Sequence, residues 1–123
     1  MEHVDQLDVF QRLMDENGIV AAVTRINDEP GRIDQFIRYF LLNTYETGGR
    51  WVEEARIEVE SWARSHRDSK ALLARVRTIV EDAHKDPQVR RAYVDEGMRE
   101  DPSGEDGWDR YSFRIRLETR NVT

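Results

Sequence analysis

The stretch from Ala55 to His84, ARIEVESWARSHRDSKALLARVRTIVEDAH, constrains the fold most, because its hydrophobic period changes once, at the polar turn Arg64 to Ser69. Before the turn, Ile57, Val59 and Ser61 alternate with Arg56, Glu58, Glu60 and Trp62, the period of a strand with one buried face. After it, Leu72, Leu73, Val76, Ile79, Val80 and Ala83 recur at three- and four-residue spacings, with Arg75, Arg77, Glu81 and Asp82 on the other side. A helical stripe that wide has to lie on something, and the preceding strand offers a face. Asp68 or Ser69 is placed to cap the helix start, His84 and Lys85 suit its C-terminal end, and Asp86-Pro87 stops it. Glu81 and Lys85, four apart, are expected to pair.

The rest of the chain reads around this unit. Val4 to Asn17 forms a short helix with Leu7, Phe10, Leu13 and Met14 on one side, ended by Gly18 in the left-handed conformation. Ile19 to Ile26 is rich in β-branched residues and closes on the turn Asn27 to Gly31, so it reads as a strand. Ile33 to Thr44 is apolar on both sides of an alternation, which favours a strand covered on both faces, and Tyr45 to Arg50 is a Gly-containing hairpin loop. Gln88 to Glu96 is a weaker strand, and Gly97 to Trp108 is a polar loop. Like Glu46 to Arg50, that loop lacks the apolar residues to order itself without a neighbour. From Arg110 to Arg120, Tyr111, Phe113, Ile115, Leu117 and Thr119 alternate without a break against charged residues and Ser112, giving the clearest strand in the chain. The expected whole is one α+β domain over residues 1–123, a mostly antiparallel sheet of four to five strands with two helices on one face.

Composition narrows function more by exclusion than by signature. The formal net charge of −6 disfavours nucleic acid and anionic membrane as general partners. With no cysteine there is no disulfide framework, thiolate metal site or thiol nucleophile. The acidic start MEHVDQLD is unlike a signal peptide, so assembly in the cytoplasm is expected. His3, His66 and His84 share no metal-ligand spacing. His66-Arg67-Asp68 matches a kinase tripeptide without the asparagine or glycine-rich loop that chemistry requires, and Gly48-Gly49 lacks the lysine of a phosphate loop. Glu53, Glu54, Glu58 and Glu60 contain enough carboxylates for an acid and base, but such residues on the wet face of a strand serve solubility. No enzyme, cofactor or metal is expected.

Two features point instead to contacts between chains. Trp62 lies on the polar side of its strand, either packed under a loop or anchoring a subunit contact. Arg110, Arg114, Arg116 and Arg120 form a basic stripe opposite the apolar side of the last strand. It is either a solvated face balanced by acidic neighbours or an interface reaching acidic residues of an adjacent subunit, or a surface near passing DNA, which the net charge disfavours. A row of like charge needs opposite charge nearby, with Glu53, Glu54, Glu58 and Glu60 as candidates. The expected subunit interface is therefore Trp62, Arg110, Arg114, Arg116, Arg120, Glu58 and Glu60.

Taken in order, these elements resemble a known family. The chain has an N-terminal helix, a strand ending in a proline turn (Arg25 to Arg32), a second strand, the Gly48-Gly49 loop and a strand ending Glu60-Ser61-Trp62-Ala63. An amphipathic helix and a final alternating strand after the acidic Asp101-Pro102 loop follow. Nearly the whole chain is similar in this pattern to the tail terminator proteins of long-tailed bacteriophages. The resemblance implies a virion protein that forms a homo-oligomeric ring of six subunits at the head-proximal end of the tail tube. Such a ring ends tube polymerisation and contacts the major tail tube protein and the head-tail connector, with DNA only passing through its lumen and no membrane involved. A head-closure or connector protein is the alternative in the same setting, and a small non-viral binding module the alternative outside it.

Overall fold

The structure, a computed structural model, describes residues 5–22, 34–46, 52–101 and 107–120. The first helix, α1 (Gln6–Glu16), begins where the Asp5 carboxylate accepts hydrogen bonds from the backbone N–H groups of Leu7 and Asp8 at 2.8 and 3.3 Å. A cap of this kind is worth about 1 kcal/mol. The helix ends as expected at Gly18, whose φ of +69° is a conformation that costs glycine little. Its buried stripe is Val9, Phe10, Leu13 and Met14, with Leu7 only half-buried. Gln6 is buried beside that stripe and donates to the Thr119 hydroxyl at 3.0 Å.

A two-residue strand, β1 (Ala21–Ala22), then pairs parallel with β2 (Gln35–Glu46) at Ile37 and Arg38. Of the longer strand expected over Ile19 to Ile26, Ile19 and Val20 are irregular and residues 23–26 lie outside the described residues, as do the proline turn, the Gly48-Gly49 loop and His3. β2 turns back into β3 (Val52–Ala63), and β3 leads through two residues into α2 (His66–Asp82). A single 3₁₀ turn, Ala83–Lys85, precedes β4 (Val89–Asp101), which pairs with β5 (Asp109–Arg120). The sheet order is β1-β2-β3-β5-β4, antiparallel at every junction except the first. The fold is α+β, as the alternating and helical periods predict.

One face of the sheet carries the main core. Ile37 and Tyr39 from β2, Ala55, Ile57 and Val59 from β3, and Phe113, Ile115 and Leu117 from β5 meet the stripes of α1 and α2. On α2 these are Leu72, Leu73, Val76 and Val80, all buried, whereas Ile79 is only half-buried. The cap of α2 is Ser65, whose hydroxyl accepts from Asp68 N at 3.1 Å, not Asp68 or Ser69. Ser69 is turned inward instead: its hydroxyl donates to the Ser61 carbonyl at 3.1 Å and lies 2.9 Å from the Ser61 hydroxyl. Two small polar side chains at this point bring the helix close to the strand and satisfy each other. At the far end Lys85 reaches Asp82 and Glu81 pairs with Arg77, so the expected Glu81 to Lys85 contact is replaced by two others.

Two expectations about the strands need correction. β2 is covered on both faces only in its first half, since Leu41 and Leu42 keep 42 % and 37 % of their surface exposed. The core cluster ends at Tyr39 and the second apolar cluster at Phe36, so the strand outruns both. β4 does not stop at Glu96 but runs through Gly97 to Asp101, with register irregularities between Val89 and Arg91, Val94 and Glu96, and Glu96 and Arg99. Residues 97–101 are therefore strand where a loop is expected, because β5 offers backbone partners as far as Arg110. Trp108, just before β5, is not a solvated loop residue; it is buried against Phe36 and Trp62, with the Arg64 guanidinium 3.6 Å from its ring centroid.

Candidate subunit-contact surface

The sheet's second face is built by the alternate residues of the same strands. In register across β2, β3, β5 and β4 lie Arg38 and Phe40; Glu54, Arg56, Glu58 and Glu60; Arg110, Ser112, Arg114, Arg116 and Glu118; and Tyr93, Glu96 and Arg99. Here the expectation of a wet face fails. Glu58 has a side chain only 7 % exposed and Glu54 only 6 %, because guanidinium groups cover both.

The ion pairs form a lattice across the strands. Glu58 accepts from Arg114 Nε at 2.7 Å and from Arg99 Nη2 at 2.8 Å. Glu54 accepts from Arg116 Nη1 at 2.6 Å, and Asp95 accepts from both Arg56 and Arg116, at 2.9 and 3.2 Å. Glu60 holds Arg38 at 3.1 Å and accepts from the Trp62 indole at 3.2 Å. Arg110 pairs with Asp101 and lies over the Trp62 ring, 4.6 Å from its centroid. Desolvation pushes the Asp95 carboxyl upward, but Arg116 and Arg56 outweigh it and hold the group below the usual carboxylate range. The Arg114 guanidinium is held above its ordinary value chiefly by its hydrogen bond to Glu58.

This arrangement changes the role of the interface residues expected from sequence. Glu58, Glu60, Arg114 and Arg116 are brought together, but as partners within one sheet: the opposite charge that the arginine row requires comes from the neighbouring strands of the same chain. Trp62 is 2 % exposed and stacks on Phe36 at 5.5 Å, the packing alternative of the two readings. Arg110 is buried beside it, and Arg120 stands exposed at the end of β5. The side chain of Glu53 lies outside what is described. Sequence reasoning missed Arg99, because β4 was expected to stop at Glu96, and Asp95 and Glu96, because the register irregularity between Val94 and Glu96 that sets their placement is not legible from alternation. It missed Trp108, because an aromatic next to Gly107 reads as part of a loop.

What stays largely unpaired among the described residues is the rim. Among the described residues β1 covers the outer edge of β2 only at Ile37 and Arg38, and β4 is the last strand on the other side. Edges of this kind are templates for another strand. Elsewhere, a groove of about 390 Å³ runs between the helices, floored by Leu13, Ile79, Ala83 and Pro87 and edged by Glu16 and Asp82. His66 sits between Glu100 at 3.1 Å and Asp109 at 3.5 Å, tying the start of α2 to the ends of β4 and β5. Its two nitrogens face different carboxylates, and no cluster suited to a metal ion occurs among the described residues. No helix among them is long and apolar enough to cross a membrane. The class defined by this geometry is a small α+β domain with one ion-paired sheet face and, among the described residues, rims that are unpaired over most of their length. Neither the scan against protein-family models nor the search of curated proteins finds a match for the chain.

Proposed function

We propose that the chain is a structural subunit of a phage tail, a tail terminator that forms a six-membered ring at the head-proximal end of the tail tube. The ring ends tube polymerisation and presents the surface that joins the head-tail connector. The subunit is made in the host cytoplasm and resides in the virion neck, and DNA passes through the ring without being recognised.

The observation that carries this reading is the pair of sheet rims that, among the described residues, lack a neighbouring strand over most of their length. A domain with two different unpaired edges suits head-to-tail association, in which one patch meets another and the rotation closes a ring. Among the described residues the helices and strands follow the same order as the elements that carry the family resemblance, with both helices on one side of the sheet, which supports the reading.

The test is assembly. Native mass measurement should give close to six times the 14.5 kDa subunit, alone or after addition of tube protein from the phage encoding the chain. Added to polymerising tube protein, the chain should shorten the tubes and label one end of each. A protein that stays monomeric beside tube ends and leaves tube length unchanged would sink the reading.

A further inference from the structure

The charges on α2 run against its dipole. A helix favours anions in its first turn and cations in its last. From Arg64 to Arg77 the sequence sets Arg64, Arg67, Lys70, Arg75 and Arg77 against a single carboxylate, Asp68, and α2 then ends on Glu81 and Asp82 with no basic residue in its last turn. α1 closes in the same way, on Asp15 and Glu16, again with no basic residue in its last turn. The helices by themselves do not account for this placement.

Both acidic ends reach the groove between the helices. Its floor is Leu13, Ile79, Ala83 and Pro87, its edges are Glu16 and Asp82, and about 390 Å³ of it stands open. Glu16 and Asp82 are both exposed. Glu16 shares its partner, since Arg12 at 3.0 Å also binds Asp86, and Asp82 has only the exposed Lys85 at 3.6 Å among its ion pairs in the described residues. An apolar floor under carboxylate edges has the chemistry of a seat for long cationic side chains, whose carbon stems cover the floor while their heads meet the edges.

The outward stripe of α2 supplies such side chains. Arg67, Lys70, Ala74 and Thr78 recur at three- and four-residue spacings on the side away from the core, and all are exposed. No hydrogen bond or ion pair engages Arg67 or Lys70 among the described residues. The small Ala71 and Ala74 beside them leave room for a close approach. Lys70 and Asp82 are about 18 Å apart along the helix axis, so the cationic and acidic ends of α2 do not meet within one chain.

We infer that the cationic first half of α2 docks in the acidic groove of a second copy of this chain, with Arg67 and Lys70 laid over Leu13 and Ile79 and their heads on Glu16 and Asp82. The inference rests on the ring reading and names a contact of its helix layer. The two patches differ, so each subunit offers one to either neighbour, the head-to-tail geometry that a ring requires. Reciprocal docking of two copies about a two-fold axis is the competing arrangement, and it stops at dimers.

Exchanging the charges between the patches tests the contact. Glu16→Lys with Asp82→Lys, and separately Arg67→Glu with Lys70→Glu, put charge where the helix dipoles favour it, so both variants should fold, which circular dichroism checks. At physiological salt each variant alone should need at least tenfold more protein than the parent to reach a six-subunit mass, because every contact then sets like charge against like. Mixed in equal amounts, the two should regain the parent's assembly by alternating around a ring of even number. Folded variants that each assemble like the parent, or a mixture that regains nothing, would overturn the docking and leave a six-subunit parent ring standing. A mass of two subunits, lost and regained in the same way, establishes the two-fold arrangement and overturns the head-to-tail contact. A parent that is monomeric even beside tube ends overturns the ring reading and the contact with it. Lys70 and Lys85 are the only lysines in the sequence, so carbodiimide coupling of the unaltered ring offers a direct readout. It should join Lys70 to Asp82, a link the length of α2 forbids within one subunit, and the absence of that link from a six-subunit ring would also overturn the contact.

Discussion

Arg114 donates to Glu58 at 2.7 Å from a strand 56 residues away in the chain, and it does so over a carboxylate that is almost out of reach of water. The same carboxylate holds Arg99, so three strands meet at one side chain. Substituting Glu58 by Ala leaves two guanidinium groups without their shared acceptor. Since both arginines keep partial access to solvent, the expected loss is about 2 kcal/mol instead of the larger cost of a fully dry charge. Urea unfolding of Glu58→Ala at low and high salt measures it, and a variant as stable as the parent would show the lattice to be ornamental to folding.

The two positions that sequence periodicity treats alike on α2 should separate in stability. Leu73 is fully buried in the main core, and Leu73→Ala is expected to cost about 2 to 5 kcal/mol. Ile79 borders the open groove between the helices, so Ile79→Ala should cost clearly less. Equal denaturation midpoints for the two variants would place the groove under cover.

Tyr39 gives the protein an alkaline limit. Its ring packs on Phe10 at 4.7 Å, its hydroxyl donates to Gln11 at 2.5 Å, and desolvation, aided by the charges of Asp15, Asp8 and Asp5, pushes its pKa up to about 12 from 10.0. The folded state thus holds the proton more tightly than the unfolded chain. The stability this contributes is intact below pH 10 and disappears as pH rises toward 12. Tyr39→Phe should flatten the stability profile across that window, and an unchanged profile would exclude Tyr39 as the source.

Asp86 sets the corresponding acidic limit. Arg12 binds it twice, at 2.6 and 3.1 Å, and with help from the Gln88 backbone N–H holds its carboxyl below the ordinary range against a smaller opposing desolvation. A depressed pKa means the stabilisation is present at neutral pH, begins to fade near the unfolded value of 3.8 and is lost below it. Arg12→Ala should remove that part of the acid dependence. A parent and variant whose stabilities fall in parallel from pH 5 to pH 2 would contradict it.

How much of this was legible in the chain depends on what lies across each strand. The β3 to α2 unit and the β5 strand are readable, because Ile57, Val59, Phe113 and Ile115 face a greasy helix layer and alternate against residues that do not. The opposite face is not readable in the same way. Glu58 between Arg56 and Glu60 looks wet in sequence, and only the register with Arg114 and the length of β4 show that other charges, and not water, stand over it. The α2 cap is misjudged for a similar reason: Ser65, Asp68 and Ser69 are all competent acceptors, and the contact with Ser61 that draws Ser69 inward is tertiary. For the interface, sequence pattern identifies charged residues well but cannot tell a charge awaiting a partner subunit from one already matched within the sheet.

The position of β3 and β5 as the inner strands of two hairpins also dictates how the chain must find its fold. β2 with β3, and β4 with β5, are neighbours in sequence and need only short closures, but a lone hairpin has marginal stability in water. Joining them requires Val59 to meet Phe113 across the whole of α2 and β4, and only that meeting builds the platform on which both helices lie. The search for this one long-range pairing therefore sets the folding rate, as the entropy of closing a large loop must be met before its contacts exist. Until it succeeds, both hairpins present open edges to any neighbouring chain, so a nascent subunit is exposed to the wrong partner for as long as its own two halves remain apart.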